Sequence, residues 1–134
     1  MKTTTSIPTR GIMLATVLAS ALAIGAGAPT AMAEEFTTVT DLDTFKAHFI
    51  GPKIMDPADS ANFFVVREDG TIEGTWHGAT LTGAWRWEDE YFCRTLSAPR
   101  PAPEDCQQWG YADGKAQLVR NRGAGDPTVY SLGE

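Results

Sequence analysis

The chain has 134 residues, 43% of them hydrophobic and 10% aromatic, with 11 Lys+Arg against 17 Asp+Glu for a formal charge of −6. That is one domain's worth of chain, and its acidic balance argues against nucleic acid or an anionic membrane surface as partner, because both need a basic face. A metal at the cysteine pair would need further ligands, only His48 and His77 are on offer, and no metal site is expected.

The N-terminus reads as an export signal. Lys2 and Arg10 supply a positive start, Gly11 to Ile24 is an apolar run, and Ala31-Met32-Ala33 is an A-x-A cleavage site with Glu34 as the new N-terminus. The apolar run is short for a membrane span. No cysteine stands directly after the cleavage site and no Arg-Arg pair precedes the run, so neither a lipid anchor nor twin-arginine export is indicated. Cleavage leaves a single domain, residues 34–134, with 9 Lys+Arg and 17 Asp+Glu, a charge of 9 − 17 = −8. The expected location is periplasmic or secreted, with no membrane anchor after cleavage.

Thr40 to Gly51 predicts one short helix. Thr40 is the candidate N-cap, Leu42, Phe45, Phe49 and Ile50 line one face, and Gly51-Pro52 is a stop. Lys53 to Ala61 carries no clear pattern and reads as loop around Asp56-Pro57. Short strands follow. Phe63–Arg67 and Thr71–Trp76 flank the hairpin turn Asp69-Gly70. His77-Gly78 turns into a period-two run in which Leu81, Gly83, Trp85 and Trp87 share one face and Ala84 and Arg86 the other. Glu88-Asp89-Glu90 turns into Tyr91–Leu96. Gln107–Tyr111, an Asp113-Gly114 turn, Ala116–Arg120, a Gly-rich turn over 122–127 and Thr128–Leu132 complete the chain. About seven strands at this spacing predict a mainly β fold, an antiparallel meander curled into a small barrel or sandwich, with one N-terminal helix. Glycines 70, 74, 78 and 83 mark turns, bulges or close strand crossings.

Cys93 and Cys106 have 12 residues between them and are the only cysteines. In an exported domain an even count predicts a disulfide, and closing a loop of this length is worth about 3 kcal/mol in the chain-entropy model. Prolines 99, 101 and 103 make the intervening arc, Arg94 to Asp105, a stiff loop.

No convergent catalytic set emerges. The carboxylates of Glu88, Asp89 and Glu90 sit at a solvated turn; His77 and His48 lack partners at local spacing; Gly123-x-Gly125 is followed by a strand pattern where a dinucleotide fold needs a helix. No cofactor is expected. The binding candidates are Arg86, Arg94 and Arg122 with Trp85 and Trp87, read as an Arg/Trp face for an anion or a partner. The competing reading has these arginines paired with Glu88, Glu90 or Asp105 and the tryptophans, with Trp76 and Trp109, either in the core or lining a ligand pocket.

The run Asp69-Gly70-Thr71-Ile72-x-Gly74, then Gly83-x-Trp85-x-Trp87-x-x-x-Tyr91-Phe92-Cys93-Arg94, Asp105-Cys106-Gln107 and Arg122-Gly123-x-Gly125, resembles a family of small exported alphaproteobacterial proteins of unknown function. The resemblance spans roughly residues 40–132. Some proteins of this look carry a dihydrodipicolinate reductase label, which implies a nicotinamide cofactor; this chain has no dinucleotide fingerprint and no length for a second domain. The favoured expectation is a non-enzymatic domain that binds a protein or small molecule. The alternatives are an inhibitor of a basic secreted hydrolase such as lysozyme, drawn by the −8 charge, and an enzyme.

Overall fold

The computed structural model describes Thr3, Gly11 and residues 34–134; apart from those two positions the expected leader, including the cleavage residue Ala33, lies outside the described residues. In chain order the elements are β1 (Thr37–Val39), α1 (Leu42–Phe49), β2 (Lys53–Asp56), β3 (Asp59–Val66), β4 (Thr71–Trp76), β5 (Ala79–Glu88), β6 (Tyr91–Ala98), β7 (Ala102–Ala112), β8 (Lys115–Val119) and β9 (Pro127–Gly133).

The expected meander is a closed barrel. From β2 to β9 each strand pairs antiparallel with the next, and β9 returns to β2 through Lys53↔Gly133, Ile54↔Leu132 and Met55↔Ser131. Eight strands therefore close the ring, and closure leaves the ring itself without an open edge. The remaining strand, β1, pairs with Trp109–Tyr111 of β7, beyond the Ala102–Gln107 stretch that β6 occupies.

Two strands lie outside the sequence expectation. The predicted loop over 53–61 contains β2 and the start of β3. β2 has four residues and only Ile54 is buried, too short a run for alternation to register. β1 is shorter still, with Val39 alone buried. The helix cap also differs by one residue. Asp41 is the N-cap, and its Oδ1 accepts from the Thr44 backbone N–H at 2.8 Å, while Oδ2 accepts from the Thr44 hydroxyl. A carboxylate is a capping acceptor and also favours the positive helix start, which places the cap on Asp41 rather than Thr40.

The arc between the cysteines is mostly not a loop. β6 runs on to Ala98 and β7 begins at Ala102, so only residues 99–101 turn. Cys93 and Cys106 face each other as register partners, joined by the expected disulfide. Proline tolerates the arc because residues 99, 101 and 103 fall in the turn and at the first positions of β7, where a missing N–H costs least.

Glycine placement is specific. The β4–β5 turn is His77-Gly78, both with positive φ (48° and 76°), the geometry that matches strand twist in a two-residue hairpin. Gly74 and Gly83 instead mark close approach: a Cβ on either would fall on a neighbouring strand's carbonyl oxygen, Phe63 or Thr95, and the β5–β6 register shifts beside Gly83.

The helix fills one end of the barrel. Phe45 is fully buried, with the rings of Phe49, Trp85, Trp87, Phe92 and Trp109 centred 5.0–5.6 Å from its own. Outside this knot, Lys46 pairs with Glu68 and His48 stacks on Tyr111. Truncating a fully buried phenylalanine removes both its transfer energy and its packing. Phe45→Ala is expected to cost about 3–5 kcal/mol in chemical denaturation. Lys46→Ala, on the outer side of the same helix, is expected to stay within about 0.5 kcal/mol. A Phe45→Ala loss below about 1 kcal/mol would contradict a plug built on this ring.

Candidate functional site

The half of the barrel away from α1 is not filled. A cavity of about 560 Å³ opens there, between the ends of β4, β6 and β8 and the starts of β5 and β9. Phe92, Gln107 and Trp109 form its floor, on top of the Phe45 knot. Trp76, Leu81, Leu96 and Tyr130 line its walls, with His77, Arg100 and Arg120 toward the mouth. An eight-stranded barrel is just wide enough to be filled by side chains or to hold one small ligand. This one does the first at the helix end and has room for the second at the other.

One basic group sits inside. Arg94 is opposite Trp85 on β5 and Asp105 on β7, and so shares their inward face. Its Nη1 is buried without a hydrogen-bond partner, alone in this among the described residues. Burial, reinforced by the charge of Arg120, pushes the Arg94 guanidinium below the usual arginine range; Asp105 and Tyr130 pull the other way. Asp105 does not satisfy it directly. Asp105 Oδ2 accepts from Gln107 Nε2 at 2.9 Å and Oδ1 from the Asn121 backbone N–H at 3.1 Å, while Gln107 Oε1 accepts from the buried Trp109 indole at 3.2 Å. A chain of neutral donors thus uses both carboxylate oxygens. Burial also raises the Tyr130 phenol, keeping it protonated, although Arg120 and Arg94 favour its ionisation.

The other predicted residues do not converge on this point. Arg86 lies on the outer face, bound to Glu104 through Nε (2.9 Å) and Nη2 (2.6 Å) and to Glu88 at 3.2 Å. Arg122 is also outside, 3.3 Å from Glu88 and over the Tyr91 ring. Trp85 and Trp87 pack beneath α1, and the Trp85 indole donates to the Arg67 carbonyl at 2.7 Å. The single Arg/Trp face expected from sequence is therefore split three ways by the sheet. Of the four tryptophans, Trp76 and Trp109 line the cavity.

The outer cluster covers the disulfide. Glu88 Oε2 lies 3.9 Å from Cys93 Sγ and 4.0 Å from Cys106 Sγ; the sulfurs carry no hydrogen, so these are contacts and not hydrogen bonds. Glu88, Cys93 and Cys106 are the group of metal-ligand types gathered among the described residues, but both sulfurs are committed to each other. Asp89 and Glu90 form the β5–β6 turn, His77 lies in its hairpin turn, and Gly123-x-Gly125 leads into strand β9. No family model, curated protein or solved structure matches the chain.

The Arg86–Glu104 pair makes a pH-dependent contribution with a definite sign. Hydrogen bonding to Arg86 holds the Glu104 carboxyl below its ordinary value, so its stabilisation is present above the unfolded-state pKa and is lost as pH falls through the folded one. Both side chains are substantially exposed (51% and 40%), so the effect on melting is small and best read at the residue itself. In an NMR titration the Glu104 carboxyl is expected to titrate at higher pH in Arg86→Met than in the wild type. An unchanged midpoint would contradict the pair.

Proposed function

We propose that this protein is a non-enzymatic binding barrel that works outside the cytoplasm, in the periplasm or secreted, and holds one small, largely apolar molecule in its open half. The observation that carries the reading is the cavity of about 560 Å³ above a tightly packed floor. It is of ligand-pocket size, concave, mainly apolar, and provided with a few polar groups that can orient an occupant. An interior that simply formed a core would be close-packed throughout.

The compartment is supported by the disulfide, which persists in oxidising surroundings, and by the leader-like sequence over residues 1–33. The likeness to small exported alphaproteobacterial proteins fits the same assignment. The hydrolase-inhibitor reading draws on net charge, and Glu73, Glu88 and Glu104 are already engaged by arginines on the outer surface. A reductase of the dinucleotide type would need a glycine loop that opens a helix, and here the loop opens β9.

Titration with the neutral probe N-phenylnaphthylamine tests the reading. Binding is expected to saturate at one probe per protein and to quench or shift tryptophan emission, since Trp76 and Trp109 line the space. Leu96→Trp, which puts a larger ring into the cavity, is expected to weaken the probe at least about tenfold by steric exclusion. Non-saturable binding, or binding indifferent to Leu96→Trp, would overturn the pocket.

A further inference from the structure

Resting on that reading and adding the head group, we propose that the ligand is a monocarboxylate. Its carboxylate is held by the Arg94 guanidinium with Arg120 beside it, and its apolar body lies along Trp76, Leu81, Leu96 and Tyr130.

Three observations converge on this. The first is the Arg94 guanidinium, which lines the cavity and makes no hydrogen bond or ion pair among the described residues; its Nη1 is in addition sealed off without a partner. A buried donor without a partner is rare and costly, and a guanidinium presents paired N–H groups that match the two oxygens of a carboxylate. The second is that the chain does not lack carboxylates to neutralise it. Asp+Glu outnumber Lys+Arg by 17 to 11, and the outer arginines Arg67, Arg86 and Arg122 each hold one. Arg94 and Arg120 hold none within ion-pair distance among the described residues, and Asp105, opposite Arg94 in the register, accepts from a neutral donor at each oxygen and forms no ion pair with it.

The third is the sign of the lining. Among the described residues no carboxylate lines the cavity while Arg94 and Arg120 do, and Asp105 offsets them only from beside it, so the site favours an anion. Tyr130, kept protonated by burial, adds a hydroxyl donor on the same side. The rest of the lining is aromatic and aliphatic, so the anion must carry an apolar body to fill the space. The remaining ionisable groups near this end are Asp56 beside Tyr130 and His77 and Arg100 at the mouth. Two of these three are basic types, and they guide an anion inward against the acidic exterior.

The test is calorimetric titration of the purified protein with four ligands that share one chain and differ in head group: decanoate, decanol, decyltrimethylammonium and decyl phosphate. Decanoate is expected to bind at least about tenfold more tightly than decanol, a charge-assisted hydrogen bond being worth that much, and the ammonium most weakly. In Arg94→Met, decanoate affinity is expected to fall to that of decanol while decanol affinity holds. The ligand-free variant is expected to melt no lower than the wild type, because an unpaired buried cation has been replaced by an apolar chain. That last readout separates a ligand-binding arginine from a structural one.

Equal affinity for decanoate and decanol, with both saturable, overturns the head-group assignment and leaves the pocket standing. Tighter binding of the phosphate than of decanoate replaces the carboxylate with a dianion and overturns it too. A strongly lowered melting temperature in Arg94→Met assigns Arg94 to the fold and overturns the proposal. Failure of all four ligands overturns the pocket and the proposal together. Should Arg94→Met not fold, Arg120→Met at the exposed mouth decides: loss of the decanoate preference supports the site, and its retention counts against it.

Discussion

The contact between Phe45 and the ring of aromatics around it governs the rest of the molecule. A closed eight-stranded ring has an interior that side chains can fill, and this chain fills it from one end only. The helix inserts Phe45 and Phe49 between Trp85, Trp87, Phe92 and Trp109, and that knot occupies the volume under β5, β6 and β7. The aromatic floor is thereby fixed in height. Everything above it, toward the His77 hairpin and the β8–β9 turn, is left to whatever the walls enclose. Dense packing at one end and open volume at the other are two results of one short helix, not separate features.

Electrostatics follow the same division. On the outside, arginines and carboxylates pair at ordinary surface cost, and Glu88 lies over the disulfide with Arg86 and Arg122 on either side. Such exposed pairs fix local geometry more than they stabilise the fold. Inside, the polar chain Trp109–Gln107–Asp105–Asn121 satisfies its own members and passes nothing on to Arg94. The barrel wall thus separates ion-paired arginines from one that is half-buried and has no ion pair among the described residues. A charge in that condition lowers stability unless something that binds restores its partner.

Much of this was legible in the residues. The turns Asp69-Gly70, His77-Gly78 and Asp113-Gly114 carry their own chemistry and fall where expected. Period-two alternation over Leu81, Gly83, Trp85 and Trp87 gave the inward face of β5, and the same parity sent Arg86 outward. Parity could also have placed Arg94: if Cys93 and Cys106 pair across neighbouring strands on the Arg86 side, the next residue must turn inward. Treating the proline arc as a loop hid that step, because the cysteines then had no register. β1 and β2 were hidden for another reason. Each buries a single side chain, and their pairing with β7, β3 and β9 is supplied by distant parts of the chain. Ring closure, which depends on β2 meeting β9, and with it the cavity, is likewise a tertiary property.

In the open half of the barrel Arg94 and Arg120 stand without an ion pair among the described residues, in an otherwise largely apolar lining. The most direct measurement is anomalous diffraction from crystals of the protein soaked in bromide. An ordered bromide is expected within the barrel, between the guanidinium groups of Arg94 and Arg120. An interior without bromide, with the walls collapsed and Arg94 paired to Asp105, would contradict it.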